Sequence, residues 1–127
     1  MSEVLPPNVW FFPDARADLG RLDRSQRVLV LRAIVKIARA PDQVGKPLGH
    51  LAGLNLAGFR SVYVDRKRIR IVWKVAETGV VQIAVIAAVA ERDGLVVYRT
   101  AAQRREAIDA WILKRIESSS NPRRQSH

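Results

Sequence analysis

The chain has 127 residues, of which 48% are hydrophobic, so it is long enough for one compact domain with a modest core. Its 22 lysines and arginines outnumber its 12 acidic residues, and the formal charge of +10 favours a polyanionic partner such as nucleic acid or an acidic protein. The absence of cysteine excludes disulfides, cysteine-ligated zinc and a thiol nucleophile, and the longest apolar stretch, residues 80–90, is too short to span a membrane.

The first forty residues predict a short strand followed by two helices. Residues 9–12 combine aromatic and β-branched side chains before a proline, which is typical of a strand near a sheet edge. Asp14 is a candidate cap for a helix over residues 15–21, and Asp23 with Gln26 predicts a capping box for a second helix. The second helix has apolar side chains at spacings of three and four residues, at Val28, Leu31, Ile34, Val35 and Ala38.

The middle of the chain predicts a long connection and then a β-hairpin. Residues 41–58 contain four glycines and two prolines, which predicts an irregular segment with a short helical turn near Leu51. Residues 59–64 and 68–75 have the pattern of two strands around a polar turn. In the second strand, alternation places Arg68, Arg70 and Lys74 on one face and apolar side chains, including Trp73, on the other.

The last third of the chain predicts two more strands and a helix. Residues 80–89 are apolar enough for a central strand, residues 95–98 predict a short last strand, and Thr100 is a candidate cap for a helix over residues 101–116. Residues 118–127 have little apolar content and are expected to form a disordered basic tail. The predicted fold is α+β: an N-terminal helical hairpin packed on a small antiparallel sheet of about four to five strands, plus a C-terminal helix, in a single domain over residues 1–117.

The predicted hairpin is strongly basic. Its only acid is Asp65, and its basic residues are Arg60, Arg66, Lys67, Arg68, Arg70 and Lys74. Phosphate is the natural ligand of such a surface. Four of these residues are therefore predicted to bind RNA: Arg66, Lys67, Arg68 and Lys74. Three aromatic residues interleave with the cations and either stack on nucleobases or face the core opposite the arginines: Phe59, Tyr63 and Trp73.

Several segments resemble the RelE-like toxins of the RelE/ParE superfamily in order and spacing. They are residues 48–54, 58–60 and 68–73, followed by Glu91, Arg92 and Tyr98. The strand over residues 68–73 resembles the family's aromatic-Arg-aliphatic strand, and the spacing from Arg92 to Tyr98 is similar to that of the family's late Arg and Tyr. The resemblance covers roughly residues 9–105, and it implies a helical hairpin, an antiparallel sheet with scattered basic residues and usually a C-terminal helix.

The resemblance implies the toxin of a type II toxin–antitoxin system, a ribosome-dependent mRNA interferase that stops translation and growth. In that metal-independent reaction the 2′-hydroxyl attacks the adjacent phosphate, which requires a proton acceptor and cations around the phosphate. By resemblance, Arg70 and Arg92 clamp the phosphate and Arg60 supports the same charge. Tyr98 transfers the proton, with its pKa lowered from about 10 by nearby arginines. No cofactor is expected.

One position departs from the family's best-studied pattern, which has a second lysine two positions after the first. This chain has Val62 there. Either Arg66, Lys67 or Arg68 supplies the missing cation from the turn, or the chain cleaves weakly, or it is not a nuclease. A ParE-like non-enzymatic inhibitor of DNA gyrase, a degenerate toxin and a plain RNA-binding module are therefore alternative functions.

The resemblance also implies partners. A cognate antitoxin with an acidic or amphipathic segment is expected to cover the basic sheet face, and mRNA on the ribosome is the expected target. Operator DNA is expected to be contacted only through the antitoxin. No membrane partner is expected, and residues 1–7 do not resemble a secretory signal, so the protein is expected in the cytoplasm.

Overall fold

The computed structural model describes residues 5–120, which form three helices and five strands. In chain order they are β1 (Val9–Phe11), α1 (Pro13–Gly20), α2 (Arg24–Arg39), β2 (Lys46–Leu51), β3 (Leu54–Val64), β4 (Ile69–Glu77), β5 (Gln82–Glu91) and α3 (Val96–Ser120). The predicted α+β architecture of a helical hairpin, a small sheet and a C-terminal helix is confirmed. Over residues 5–120, no helix is long and apolar enough to cross a membrane.

Local sequence signals explain where the first two helices begin. The capping box before α2 is confirmed: the Gln26 backbone N–H donates to the Asp23 carboxylate at 2.8 Å, and the Asp23 backbone N–H donates to the Gln26 side chain at 3.2 Å. The prediction that Asp14 caps α1 is wrong, because α1 begins at Pro13 and Asp14 lies inside its first turn. Proline suits this position because an N–H there has no helical partner.

The buried face of α2 is rotated from the predicted stripe. Val28, Leu31 and Val35 are only half-buried. The buried residues of the helix are Val30, Ile34, Ile37 and Ala38, whose spacing also fits one helical face. The rotation leaves Val28 and its neighbour Leu29 partly open to solvent.

The strands follow the order β1-β5-β4-β3-β2 and are antiparallel, except that β1 runs parallel to β5 at the sheet edge. Strand β2 and the first part of β3 occupy residues 46–58, so the prediction of an irregular segment with a helical turn near Leu51 is wrong. Strand β2 lies at the other edge and is largely exposed, so it needs no apolar alternation and gives a weak sequence signal. Ala52 and Gly53, with φ of 50° and 78°, form its turn into β3.

Different helices cover the two faces of the sheet. Trp73 of β4 points to the α2 side, where its indole N–H donates to the Pro41 carbonyl at 2.9 Å. Lys74, the next residue, points to the α3 side and forms a salt bridge with Asp109. The predicted alternation is therefore confirmed for Arg70, Trp73 and Lys74, and the face that carries Arg70 and Lys74 lies beneath α3. Arg68, which was predicted on the same face, lies instead in the turn before β4.

Helix α3 begins earlier than the sequence predicts. The prediction of a strand over residues 95–98 is wrong because α3 begins at Val96, and Thr100 lies inside the helix rather than at its cap. Local composition favours a strand, but Val97 and Tyr98 are buried as helical residues, so packing outweighs local propensity. Of the tail expected at residues 118–127, residues 118–120 belong to α3 and residues 121–127 lie outside the described residues.

Candidate active site

Arg70 lies at the centre of a cluster on the α3 face of the sheet. The residue is 7% exposed, and its guanidinium carbon lies 4.9 Å from the ring centroids of both Tyr63 and Tyr98. One terminal nitrogen donates to the Tyr63 hydroxyl at 2.8 Å, and the other donates to the Gly94 carbonyl. Its Nε is buried and has no hydrogen-bond partner within residues 5–120, so one donor of the guanidinium is unsatisfied in this arrangement.

Tyr63 also belongs to the cluster, although it was not among the catalytic residues expected from the sequence. Strand register pairs it directly with Arg70, so the two side chains share a face. Burial acts to raise the pKa of Tyr63. The hydrogen bond and charge of Arg70, with smaller contributions from Tyr98 and Arg92, outweigh burial and hold this pKa below its usual value near 10. The phenol therefore ionises more readily than an isolated tyrosine.

The hairpin turn is the signal that identifies Tyr63. A turn over residues 65–68 pairs Val64 with Ile69, and the next pair outward is Tyr63 with Arg70. Phe59 and Tyr63 lie on the same face as Arg70 and Lys74, and Trp73 lies on the other face. Phe59 and Trp73 are both fully buried core residues, so of the three aromatic residues only Tyr63 keeps a surface that a nucleobase can contact.

Tyr98 and Arg92 flank Arg70 from two other elements. Tyr98 lies in the first turn of α3 and is 5% exposed. Arg92 directly follows β5, is exposed, and donates its backbone N–H to the Arg68 carbonyl at 2.6 Å. Over residues 5–120 it forms no salt bridge with either neighbouring acid. The structure therefore brings Arg70, Arg92 and Tyr98 together at one end of the sheet.

Arg60 lies on the opposite face, so the expectation that it joins the phosphate site is not met. It pairs with Trp73 in the strand register. Its side chain donates to the carbonyls of Val44 at 2.9 Å and Gly45 at 3.2 Å, and these bonds hold the connection between α2 and β2. Val62, two residues further, shares that face. The valine therefore leaves no gap on the face that carries the cluster.

The four residues predicted to bind RNA divide into two groups. The turn between β3 and β4 exposes three of them, Arg66, Lys67 and Arg68. Asp65, Arg66 and Lys67 have positive φ values of 54°, 56° and 69°. A left-handed backbone costs a non-glycine residue about 1–2 kcal/mol, and such strain is concentrated at functional sites. The fourth, Lys74, forms a salt bridge with Asp109, and 19% of its side chain is exposed.

Within the described residues, no group of three or more histidine, cysteine or acidic side chains is arranged to hold a metal ion.

No family model matches the sequence, and no curated protein matches it. A chain of the RelBE2 toxin–antitoxin complex from Mycobacterium tuberculosis is 29% identical and superposes with a TM-score of 0.54, over 69% of this chain and 100% of that one. The chain has the RelE-like toxin fold.

Two further structures have this RelE-like fold at lower sequence identity. A mutant of the E. coli toxin RelE in the free state gives a TM-score of 0.57 at 18% identity, over 76% of this chain and 94% of that one. The isolated E. coli RelE toxin gives 0.52 at 18% identity, over 76% of this chain and 95% of that one. The alignments therefore span almost all of these toxins, whereas a substantial part of this chain lies outside them.

Proposed function

We propose that this protein is the toxin of a type II toxin–antitoxin system and that it cleaves mRNA on the ribosome without a metal. The observation that carries the proposal is the cluster of two phenols and two guanidinium groups formed by Tyr63, Tyr98, Arg70 and Arg92. The compared structures support the biological setting, because they are RelE toxins and complexes with antitoxins. A toxin that cleaves mRNA on the ribosome acts in the cytoplasm, and a cognate antitoxin is the partner that inhibits it.

The cluster supplies each group that the proposed reaction requires. The Tyr63 phenolate accepts the proton of the 2′-hydroxyl, and the 2′-oxygen attacks the adjacent phosphorus. The bond from phosphorus to the 5′-oxygen breaks, and Tyr98 returns a proton to that oxygen. The products are a 2′,3′-cyclic phosphate and a 5′-hydroxyl. Arg70, through its unpaired Nε–H, and Arg92 stabilise the charge on the phosphoryl oxygens.

RNA reaches this cluster only when α3 moves away from the sheet. Arg70 and Tyr98 are 7% and 5% exposed, and the Lys74–Asp109 salt bridge joins the basic strand to the helix. A phosphate contact to Arg70 needs space that these groups fill. The described arrangement is therefore the closed form of the proposed enzyme.

The same burial favours a second candidate, a ParE-like toxin that inhibits DNA gyrase by binding it. A guanidinium held between two aromatic rings and a backbone carbonyl also fits a purely structural role. In that case the exposed cations of the turn, Arg66 and Lys67, contact the protein target. The two candidates differ in whether RNA is cut.

Purified protein incubated with ribosomes and a defined mRNA tests the first candidate. We expect cleavage that leaves 5′-hydroxyl ends, and a loss of about a hundredfold or more in Tyr63→Phe, which keeps the ring but removes the proton acceptor. Arg39→Gln, an exposed change at the far end of α2, is the control and should cleave like the wild type. Intact mRNA together with gyrase-dependent DNA breaks in cells expressing the wild type would replace the first candidate by the second.

A further inference from the structure

A small cavity, which we name the β5 edge cavity, lies between α1, the end of β5 and the start of α3. Its volume is about 370 Å³, near the lower end of the range of about 300–1,000 Å³ that is typical of ligand sites. Its apolar lining includes Leu22, Val96 and Val97. Its polar lining includes Asp18 and Thr100. A cavity of this kind suits a compact ligand that has both apolar faces and polar edges.

One wall of the cavity is the free edge of β5, because β1 pairs only with residues 84–86. The Val89 N–H points to this edge, where it donates to Asp18 at 3.1 Å. In an antiparallel strand, both backbone groups of every second residue point to the same side. The Val89 carbonyl and the Glu91 N–H therefore point to the free edge as well. The following residue, Arg92, points the other way, and its N–H donates to the carbonyl that precedes β4.

The structure shows what kind of group this edge accepts. Arg104 donates to the Ala87 carbonyl at 2.9 Å. Asp18, which is paired with Arg104, accepts the Val89 N–H. A planar unit with a donor beside an acceptor thus satisfies the carbonyl of one residue and the N–H of the second residue after it. The Val89 carbonyl and the Glu91 N–H are the next such pair along the edge, and nothing within residues 5–120 bonds to them.

The charges that line the cavity cancel each other. They belong to two carboxylates, Asp18 and Glu91, and to two guanidinium groups, Arg21 and Arg104. Asp18 accepts hydrogen bonds from both guanidinium groups, at 3.1 Å from Arg21 and 2.7 Å from Arg104. The lining therefore favours a neutral ligand over a free anion.

We infer that the β5 edge cavity binds a single nucleobase. Every nucleobase carries a hydrogen-bond donor beside an acceptor on its Watson–Crick edge, and this edge matches the Val89 carbonyl and the Glu91 N–H. The flat faces of the base pack against the apolar lining that includes Leu22 and Val96. The base itself is uncharged, which suits the balanced charges of the lining.

The cavity adjoins the candidate active site along the chain. Glu91 and Val97 line the cavity, and the residues that directly follow them, Arg92 and Tyr98, belong to the cluster around Arg70. A nucleotide whose phosphate contacts Arg92 therefore has its base close to the cavity. The assignment of this base to the cleaved mRNA rests on the proposed function, whereas recognition of a base does not.

Two other ligands match the free edge less well. An added β-strand requires a continuous row of free backbone groups, but Asp18 and Arg104 occupy the positions before the Val89 carbonyl. A phosphate group requires uncompensated positive charge, which the lining does not offer. A nucleobase requires only the one backbone pair that is open.

Titration of the ¹⁵N-labelled full-length protein with nucleotides tests the inference. The probes are AMP, CMP, GMP and UMP, and NMR follows the backbone amide of Glu91. We expect a saturable shift of this amide with at least one probe, with a dissociation constant on the order of 1 mM because a single base makes few contacts. An analogue methylated on the Watson–Crick edge, such as N6,N6-dimethyl-AMP for AMP, should bind at least about tenfold more weakly than its parent.

Two controls separate base recognition from charge attraction. Ribose 5-phosphate carries the phosphate without a base and should leave the Glu91 amide unmoved. Val96→Ala, which removes apolar lining, should weaken binding about threefold, whereas Leu113→Ala, another exposed position of α3, should change it by less than about 1.5-fold. The inference is overturned by the absence of a saturable shift with all four probes, by equal binding of the methylated analogue, or by equal effects of the two variants.

An uncleavable RNA distinguishes the two sources of the base. A 2′-O-methyl trinucleotide should displace the bound mononucleotide if the cavity takes a base of the RNA strand. The same oligomer without bases should not displace it. A mononucleotide that stays bound beside the trinucleotide supports base recognition but assigns the cavity to a free nucleotide.

The two proposals fail in different ways. Tyr63 and Arg70 are not part of the cavity lining, so base binding should persist in Tyr63→Phe. Ribosome-dependent cleavage by a protein whose Glu91 amide responds to no nucleotide contradicts the β5 edge cavity alone. Base binding by a protein that leaves ribosomal mRNA intact contradicts the proposed nuclease alone.

Discussion

Asp18 of α1 and Arg104 of α3 form a two-point ion pair across the edge of β5, with N–O distances of 2.7 and 3.0 Å. Asp18 also accepts the Val89 backbone N–H at 3.1 Å, and Arg104 donates to the Ala87 carbonyl at 2.9 Å. Strand β1 pairs with β5 only as far as Ile86. The ion pair therefore satisfies backbone groups where β1 has ended, and it joins both helices to the sheet.

We expect Asp18→Asn to lower the free energy of unfolding by about 3 kcal/mol. The change removes the buried, two-point partner of Arg104, whose side chain is 16% exposed, and leaves it only the more distant and exposed carboxylate of Asp14. Asp14→Asn is the matched control. Asp14 lies 3.8 Å from the same guanidinium but is 62% exposed, so its loss should cost less than about 1 kcal/mol. Chemical unfolding measures the free energy of unfolding of both variants. Equally small losses in the two would show that the Asp18–Arg104 pair stabilises the fold no more than an exposed salt bridge does.

Gly45 lies too close to the sheet for a side chain. Its φ is +67°, and an added Cβ would overlap the Ser61 carbonyl and lie 2.8 Å from the Trp73 ring. We expect Gly45→Ala to lower the free energy of unfolding by about 2–4 kcal/mol, because backbone strain and steric overlap act together. Gly20→Ala, with nothing within 4 Å of its added Cβ, should change it by less than about 1 kcal/mol. Thermal unfolding that ranks the two variants equally would contradict this close approach.

Features encoded by neighbouring residues were predictable from the sequence, and features set by packing were not. The capping box of Asp23 and Gln26 is local, and it formed as predicted. The start of α3 depends on how Tyr98 packs against Arg70, which no local pattern contains. Local propensity therefore predicted a strand there.

The candidate site was predictable to the extent that strand register was known. Alternation along one strand correctly grouped Arg70 with Lys74. The residue facing Arg70 on the neighbouring strand depends on the length of the turn, and a shift of one residue exchanges the two faces. Resemblance selected Arg60, whereas the observed register selects Tyr63.

The exposed turn predicts a measurable salt dependence of RNA binding. If Arg66 and Lys67 bind phosphates, replacing both with alanine should weaken binding to single-stranded RNA. The slope of log affinity against log salt should decrease by roughly 0.7 for each phosphate that the variant no longer neutralises. Arg39→Ala removes a cation of the same chain away from the turn and should leave the slope nearly unchanged. An equal decrease in that control would indicate a diffuse effect of net charge.

The salt bridge between Lys74 and Asp109 predicts that weakening the hold of α3 on the sheet increases cleavage. Asp109 is 44% exposed, so Asp109→Asn should cost less than about 1 kcal/mol of stability. Ribosome-dependent cleavage should rise about two- to fivefold, because the closed form becomes less favoured. Glu106→Gln, an exposed change on the same helix, is the control. Unchanged or slower cleavage in Asp109→Asn would show that this bridge does not limit access to the cluster.

The lowered pKa of Tyr63 predicts the pH dependence of both ionisation and cleavage. The chain has only two tyrosines, so ¹³C labelling of their ring carbons resolves each titration, and Tyr98→Phe assigns the signals. Tyr63 should titrate below the usual value because, although burial opposes ionisation, Arg70 stabilises its phenolate. Cleavage should rise as pH rises through this pKa, since the phenolate is the proposed proton acceptor.

Arg92→Gln tests the cause of that shift, because Arg92 also lowers the pKa of Tyr63. The titration and the rate profile should both move to higher pH in this variant, whereas Arg39→Gln should move neither. The pKa of Tyr63 is lower in the folded protein than in the unfolded chain, so ionisation of this phenol contributes to the free energy of unfolding. That contribution is fully present above the unfolded pKa and is lost as pH falls through the folded pKa. A titration of Tyr63 at or above its usual value, or a rate profile that moves without the titration, would contradict its role as the proton acceptor.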